Sequence, residues 1–251
     1  MRTFLCSYFC RRHEREFTLE PQRYADLAIP RIVYSHDLFE HRTKGSRWDF
    51  LRGKYLVPAN ELRRAKKIIL LARDPRDCFV SLYLQMTRRT AETPANLKRK
   101  TIAQMLRDKR FGIRSMIETM NDWLHEFRGR SNFELLRYEM IRSAAAESFQ
   151  QVLGWLGETK PEMSILKQAV HFSRFENMQK MEATGAFDSK ILRPGDARDL
   201  ESFKVRRGKV GGFEDYLDAE DRYFAAAAMQ NLNSQFGYSA SEKNSNTASL
   251  A

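Results

Sequence analysis

Cysteine is scarce: 251 residues hold only Cys6, Cys10 and Cys78. So few thiols, odd in number, exclude a disulfide framework and fit a reducing, cytoplasmic setting. Cys6 and Cys10 share a helix face near His13, but a metal there lacks a fourth ligand. Two half-buried thiols are the better fit, and no metal ligand set is expected. Long apolar runs are also missing. The longest, Tyr223–Met229, is far too short to cross a membrane as a helix. Met1 to Cys10 is too short for a signal peptide, and its basic residues follow the apolar part instead of preceding it. Internal repeats, a Gly-Lys-Ser/Thr phosphate loop and a kinase signature are all absent, which argues against a P-loop kinase.

Acidic residues are outnumbered. Lys and Arg total 43 against 32 Asp and Glu, for a net charge of +11. Such an excess favours polyanionic partners: a nucleotide, a sulfated or phosphorylated substrate, nucleic acid or a membrane surface. The charge is dispersed and no nucleic-acid readout motif accompanies it, so nucleic acid is not expected. An apolar content of 42% and an aromatic content of 12% suit a globular protein. One α/β domain over residues 1–238 is expected, with a disordered Ser- and Asn-rich tail over 239–251.

The most informative stretch is 67–83, KIILLARDPRDCFVSLY. The apolar run Ile68 to Leu71 suits a strand buried in a parallel sheet. Asp74 is placed to cap a helix and Pro75 to occupy its first position. A strand end facing a helix N-terminus is where α/β proteins bind anions. Arg73 stands at that point, with Ser81 two helical turns on. An Arg fork with a hydroxyl suits phosphate. Equally, Arg73 could pair with Asp77.

The remaining chain reads as follows. A helix spans 2–15, with Phe4, Leu5, Tyr8 and Phe9 on one face. PRIVYSH (30–36) reads as a strand ending on His36, with His41 on the following loop. A short helix begins near Asn60. A loop over 90–101 precedes one long helix reaching Phe127, whose stripe Ile113, Met116, Ile117, Met120 and Leu124 keeps the helical period. NFELLRY (132–138) is a second inner strand, ending in Tyr138-Glu139. A helix then carries Phe149, Val152, Leu153 and Leu156 to Gly157. Another spans 161–182, including HFSRFENM. The connection over 183–217 is long for a compact domain, and loops of that length are functional or disordered. Its RRGKVGG run supplies cations beside a permissive Gly backbone, which suits an anion. Asp218 caps a last helix running to about Phe236.

In this order, the segments resemble the sulfotransferases that use PAPS (3′-phosphoadenosine 5′-phosphosulfate). RDPRDCFVSLY is similar to their 3′-phosphate segment, which implies that Arg73 and Ser81 hold that phosphate. RRGKVGG resembles the Arg-Lys-Gly segment that wraps it, implying Arg206, Arg207 and Gly208. Ser35-His36 resembles the strand-ending pair whose His is the general base, with Tyr34 where the family often has Lys. Tyr138 implies an adenine contact, and Ser173 and Phe175 an adenine pocket. Met1-Arg2-Thr3-Phe4-Leu5 resembles the end of the 5′-phosphosulfate loop, so that Thr3 would meet a phosphate and Phe4 would stack on adenine. The family's preceding strand and Lys-Ser-Gly-Thr-Thr-Trp-like loop have no counterpart here.

The resemblance implies a P-loop-like α/β fold, a parallel sheet with helices on both faces and its first strand missing. The implied activity is sulfuryl transfer from PAPS to a hydroxyl or amine of a small molecule or glycan, weakened by the incomplete loop. The alternatives are a PAP- or sulfated-ligand-binding protein of the same fold and, more remotely, a nucleic-acid-binding protein. The acceptor is unspecified and homodimer formation stays open.

Overall fold

A computed structural model describes residues 1–26, 28–34, 64–91, 93–186 and 192–240. Ser35, His36, His41, the short helix near Asn60 and most of the 239–251 tail lie outside the described residues.

Two strands pair in parallel, β1 (Ile68–Ala72) and β2 (Phe133–Arg137), with Ala72 opposite Arg137. Parallel pairing requires a long crossover. Four helices supply it: α2 (Pro75–Leu84), α3 (Ala95–Lys98), α4 (Ile102–Leu106) and α5 (Ile113–Phe127). α1 (Arg2–Arg12) precedes the sheet. After β2 come α6 (Tyr138–Ser143), α7 (Ala145–Trp155), α8 (Met163–Phe172), α9 (Phe175–Thr184) and α10 (Ala219–Met229).

Successive strand residues point to opposite faces, and the core divides accordingly. Leu70, Ala72, Phe133 and Leu135 face a cluster built from α2, α5 and α10, including Phe79, Ile117 and Ala225. Ile69 and Leu136 face a second cluster with α1, α7 and α8, including Phe4, Phe149 and Leu166. Helices therefore pack on both faces of the parallel pair, although Leu71, expected in the buried run, is 40% exposed.

Local chemistry explains the helix starts. Asp74 accepts a hydrogen bond from the Arg76 N–H, and Pro75 fills the first position of α2, where a missing N–H costs nothing. Thr101 and Gln104 form a reciprocal capping box on α4. Asp218 accepts the Asp221 N–H at the start of α10.

The structure differs from the sequence-based expectation in five places. The loop expected over 90–101 contains the short helix α3. Residues 30–34 adopt no regular strand. The helix expected up to Phe127 is two helices, because Asp108 Oδ1 accepts the Arg110 and Phe111 N–H groups and turns the chain. Gly112 completes that turn: a Cβ there would sit 2.3 Å from the Asp108 carbonyl oxygen. The 161–182 helix also breaks, at Ser173 and Arg174. The last helix stops at Met229 and is followed by a short turn, Ser234–Phe236, capped by Asn233. At the start of the tail, the Ser239 carbonyl accepts a hydrogen bond from Arg76.

Candidate nucleotide site

The parallel register brings two chain segments to one point. Because Ala72 and Arg137 are partners, the next residues, Arg73 and Tyr138, leave the same end of the sheet side by side. The Arg73 guanidinium lies over the Tyr138 ring at 4.6 Å from its centroid. Arg73 also pairs with Asp77 at 3.3 Å and donates to the Lys209 carbonyl at 3.1 Å, 136 residues later in sequence. The pairing with Asp77 and the place at the strand end therefore coexist. Arg73 Nε is buried and has no hydrogen-bond partner among the described residues. Buried donors are usually satisfied, so this one stands ready for an acceptor.

The RRGKVGG loop is held at both ends by buried carboxylates. Ahead of Arg206, Glu182 of α9 is 1% exposed and accepts the Lys204 and Val205 N–H groups at 2.7 Å each. Beyond it, Asp77 of α2 is 3% exposed and accepts the Gly211 and Phe213 N–H groups at 2.9 Å each. Burial pushes the Asp77 carboxyl above its ordinary pKa, while Arg73 and the two N–H groups pull the other way. Composition and spacing did not reveal these two anchors, since their partners are remote backbone groups. Between them, Gly208 takes a positive φ of 60°, and a Cβ on it would come within 2.5 Å of the Phe175 ring. Glycine is needed there for both reasons.

These segments enclose a cavity of about 250 Å³. Arg73, Ser81, Tyr138, Phe175, Arg206, Arg207 and Gly208 all line it, as do Arg89, Lys204 and Glu201. Arg89 ends a π-helical turn, Gln85–Arg89, that prolongs α2. Such turns recur at functional sites. The sequence offered no sign of this one.

Three site residues inferred from the sequence lie elsewhere. Phe4 is fully buried, stacked on Phe149 with centroids 3.7 Å apart, so its ring has no free face for a base. α1 buries every residue from Thr3 to Cys10 instead of one stripe, which draws Thr3 and Phe4 into the core. Ser173 ends α8 and donates to the Val170 carbonyl. None of the three lines the cavity. Tyr34, where the family often has Lys, lies under the Arg2 guanidinium at 4.4 Å. Cys6 and Cys10 are buried free thiols, and burial pushes Cys6 up to about 12.

The cations are not bare. Arg206 Nη1 donates to Glu201 at 2.8 Å and to the Tyr216 hydroxyl at 2.7 Å. Arg207 pairs with Glu201 at 3.2 Å and with Asp215 at 3.1 Å. Lys209 pairs with Asp215 at 2.9 Å. Burial pushes the Glu201 carboxyl up, but hydrogen bonds from Tyr216 and Arg206 and the two nearby guanidiniums outweigh it. Its pKa therefore falls below the ordinary value.

A sheet-end cavity with several guanidiniums, a hydroxyl, two aromatic rings and a Gly-permitted turn has the donors and flat faces that a phosphorylated nucleotide requires, and is the candidate site. Residues 53–237 match the sulfotransferase domain family, and the chain belongs to it. A guinea pig (Cavia porcellus) 3-beta-hydroxysteroid sulfotransferase is 27% identical over 165 residues, which are 65% of this chain and 54% of that protein. The structure of mouse sulfotransferase SULT7A1 complexed with PAP superposes with a TM-score of 0.53 at 19% identity, covering 70% of this chain and 61% of that one. Retinol dehydratase in complex with androsterone and the inactive cofactor PAP gives 0.51 at 22% identity, covering 70% and 49%. These likenesses show the fold. The chain spans about half to three-fifths of the length of these relatives.

Proposed function

We propose that this chain binds PAPS and moves its sulfuryl group to a hydroxyl or amine of a small molecule or glycan. The observation that carries this reading is the cavity: segments far apart in sequence bring Arg73, Ser81, Arg206 and Arg207 onto one wall system. The 3′-phosphate half of the donor fits the residues present. Arg73 supplies an unsatisfied buried Nε, Ser81 an exposed hydroxyl, and Gly208 a backbone with no side chain in the way. Tyr138 and Phe175 offer flat apolar surface to the base. The two solved neighbours were crystallised with PAP, which supports the same nucleotide here.

When bound, PAPS supplies the activated sulfuryl group. The chain's own part is positioning and charge. Arg73, Arg206 and Arg207 neutralise phosphate, and the Asp77 and Glu182 anchors keep their loop in place, so little reorganisation accompanies reaction. The Ser35-His36 pair supports His36 as the base that takes the acceptor's proton. The relative named for a 3β-hydroxysteroid supports a hydroxyl acceptor. The three free thiols support a cytoplasmic setting.

Burial of Phe4 in the core favours a second reading, a PAP-binding protein of the same fold with little or no turnover. Transfer of labelled sulfate from PAPS to a panel of alcohols and amines, run beside PAP binding, tests both. Label in an acceptor supports the enzyme. Binding without transfer supports the second reading, and absence of both rejects the nucleotide site.

A further inference from the structure

Glu201 accepts three hydrogen bonds inside the cavity: from Arg206 Nη1 at 2.8 Å, Arg207 Nη2 at 3.2 Å and the Tyr216 hydroxyl at 2.7 Å. That is the donor set a phosphate oxygen cluster seeks. The carboxylate is not there by chance of a loose side chain. It sits on the short turn Leu200–Ser202, whose start is fixed by Asp199 accepting the Glu201 N–H at 3.0 Å. Its side chain is 29% exposed, so it has room to swing out.

We propose that Glu201 is a resident anion, which holds Arg206 and Arg207 until a ligand binds and must be displaced by it, and that it thereby sets specificity for a dianionic phosphate. This rests on the nucleotide reading given above. A carboxylate carries one charge and two acceptor oxygens. A phosphomonoester carries about −1.5 to −2 at neutral pH and three. It therefore gains over Glu201 when it takes the two guanidiniums. A sulfate ester, with a single charge, only exchanges like for like. Displacement also frees Tyr216, whose hydroxyl pKa is now pushed up to about 12 by burial and by the Glu201 carboxylate, to donate to the ligand. Asp215 stays on Lys209 and on Arg207 Nη1 at 3.1 Å, so the exchange at Arg207 is confined to Nη2, the nitrogen that Glu201 holds.

Calorimetry on the full chain with adenosine 3′,5′-bisphosphate and, as control, adenosine 5′-monophosphate tests this. Glu201→Gln keeps the shape and removes the competing charge. Its affinity for the bisphosphate should rise about tenfold, since charge-assisted hydrogen bonds no longer need to be broken. Its affinity for the monophosphate, which lacks the 3′ group, should change less than about twofold. A bisphosphate affinity that is unchanged or lower in Glu201→Gln makes the carboxylate a support for the arginines and overturns the proposal alone. Bisphosphate binding by neither protein overturns the nucleotide reading and this proposal with it. A second arm needs no variant. In the wild-type chain, methyl phosphate should displace the bisphosphate at about tenfold lower concentration than methyl sulfate, a singly charged sulfate ester, and equal potency overturns the charge selection.

Discussion

Asp77→Asn isolates the anchor that ties the basic loop to α2. The native carboxylate takes two backbone N–H groups at 2.9 Å and the Arg73 guanidinium at 3.3 Å, in a site that is 3% exposed. Asparagine has nearly the same volume but only one acceptor oxygen, and its NH₂ would face either a loop N–H or Arg73. One hydrogen bond to a charged group, worth about 1.5–3 kcal/mol, is lost and a buried N–H is left unpaired at about 1–3 kcal/mol more. Against this, the neutral amide escapes the desolvation that raises the native carboxyl's pKa. The net expectation is a loss of about 2–3 kcal/mol. Part of it should appear as local release of residues 209–213, because Gly211 and Phe213 are the groups set free. Urea unfolding measures the total, and amide exchange at Gly211 and Phe213 reports the local share. Bisphosphate affinity should fall at least about tenfold, since Arg73 and the loop lose their common anchor. Unchanged stability together with native exchange rates at these two amides refutes the anchoring argument.

Three other changes follow from the same geometry. Gly208→Ala forces a β-carbon onto a positive φ and against Phe175. It should cost at least about 1–2 kcal/mol by urea unfolding and weaken nucleotide binding. A neutral effect would contradict the close approach. His36→Ala should lower turnover about a hundredfold while leaving bisphosphate affinity intact by calorimetry. Unchanged turnover removes the base assignment. The depressed Glu201 pKa means that its ion pairs contribute fully above the unfolded value of 4.5 and are lost as pH falls through the lower folded value. Melting temperature followed across the acid range should show a shallower decline for Glu201→Gln than for the wild type. Parallel curves would show that the pairs contribute nothing to stability.

How far the sequence reached can be traced element by element. β1, its Asp74-Pro75 junction and β2 were legible because their signals are local: a short apolar run, a cap and a proline. The residues that line the cavity were legible in part: Arg73 with Ser81 and RRGKVGG carry anion chemistry that pattern can flag, while Tyr138 and Phe175 were named through the family resemblance. What was hidden is long-range. Asp77 was flagged as a partner for Arg73, yet it also holds two backbone N–H groups 134 and 136 residues away. Glu182, at the end of the helix expected over 161–182, carries no motif that marks it, yet it is buried. Phe4 lies in the core and not on the cavity wall because α1 is enclosed on all sides, a property of its neighbours and not of its own amphipathic pattern. The single long helix expected up to Phe127 failed on one Asx turn at Asp108, which a smooth apolar periodicity does not reveal.

The central claim is that the cavity at the ends of β1 and β2 is a nucleotide 3′-phosphate site. Isothermal titration of adenosine 3′,5′-bisphosphate into the full chain and into Arg73→Ala tests it most directly. The account predicts one nucleotide per chain for the wild type and about a thirtyfold loss of affinity for Arg73→Ala, the equivalent of roughly 2 kcal/mol for a charge-assisted contact. Absence of binding to the wild type, or an affinity that Arg73→Ala leaves unchanged, would contradict it.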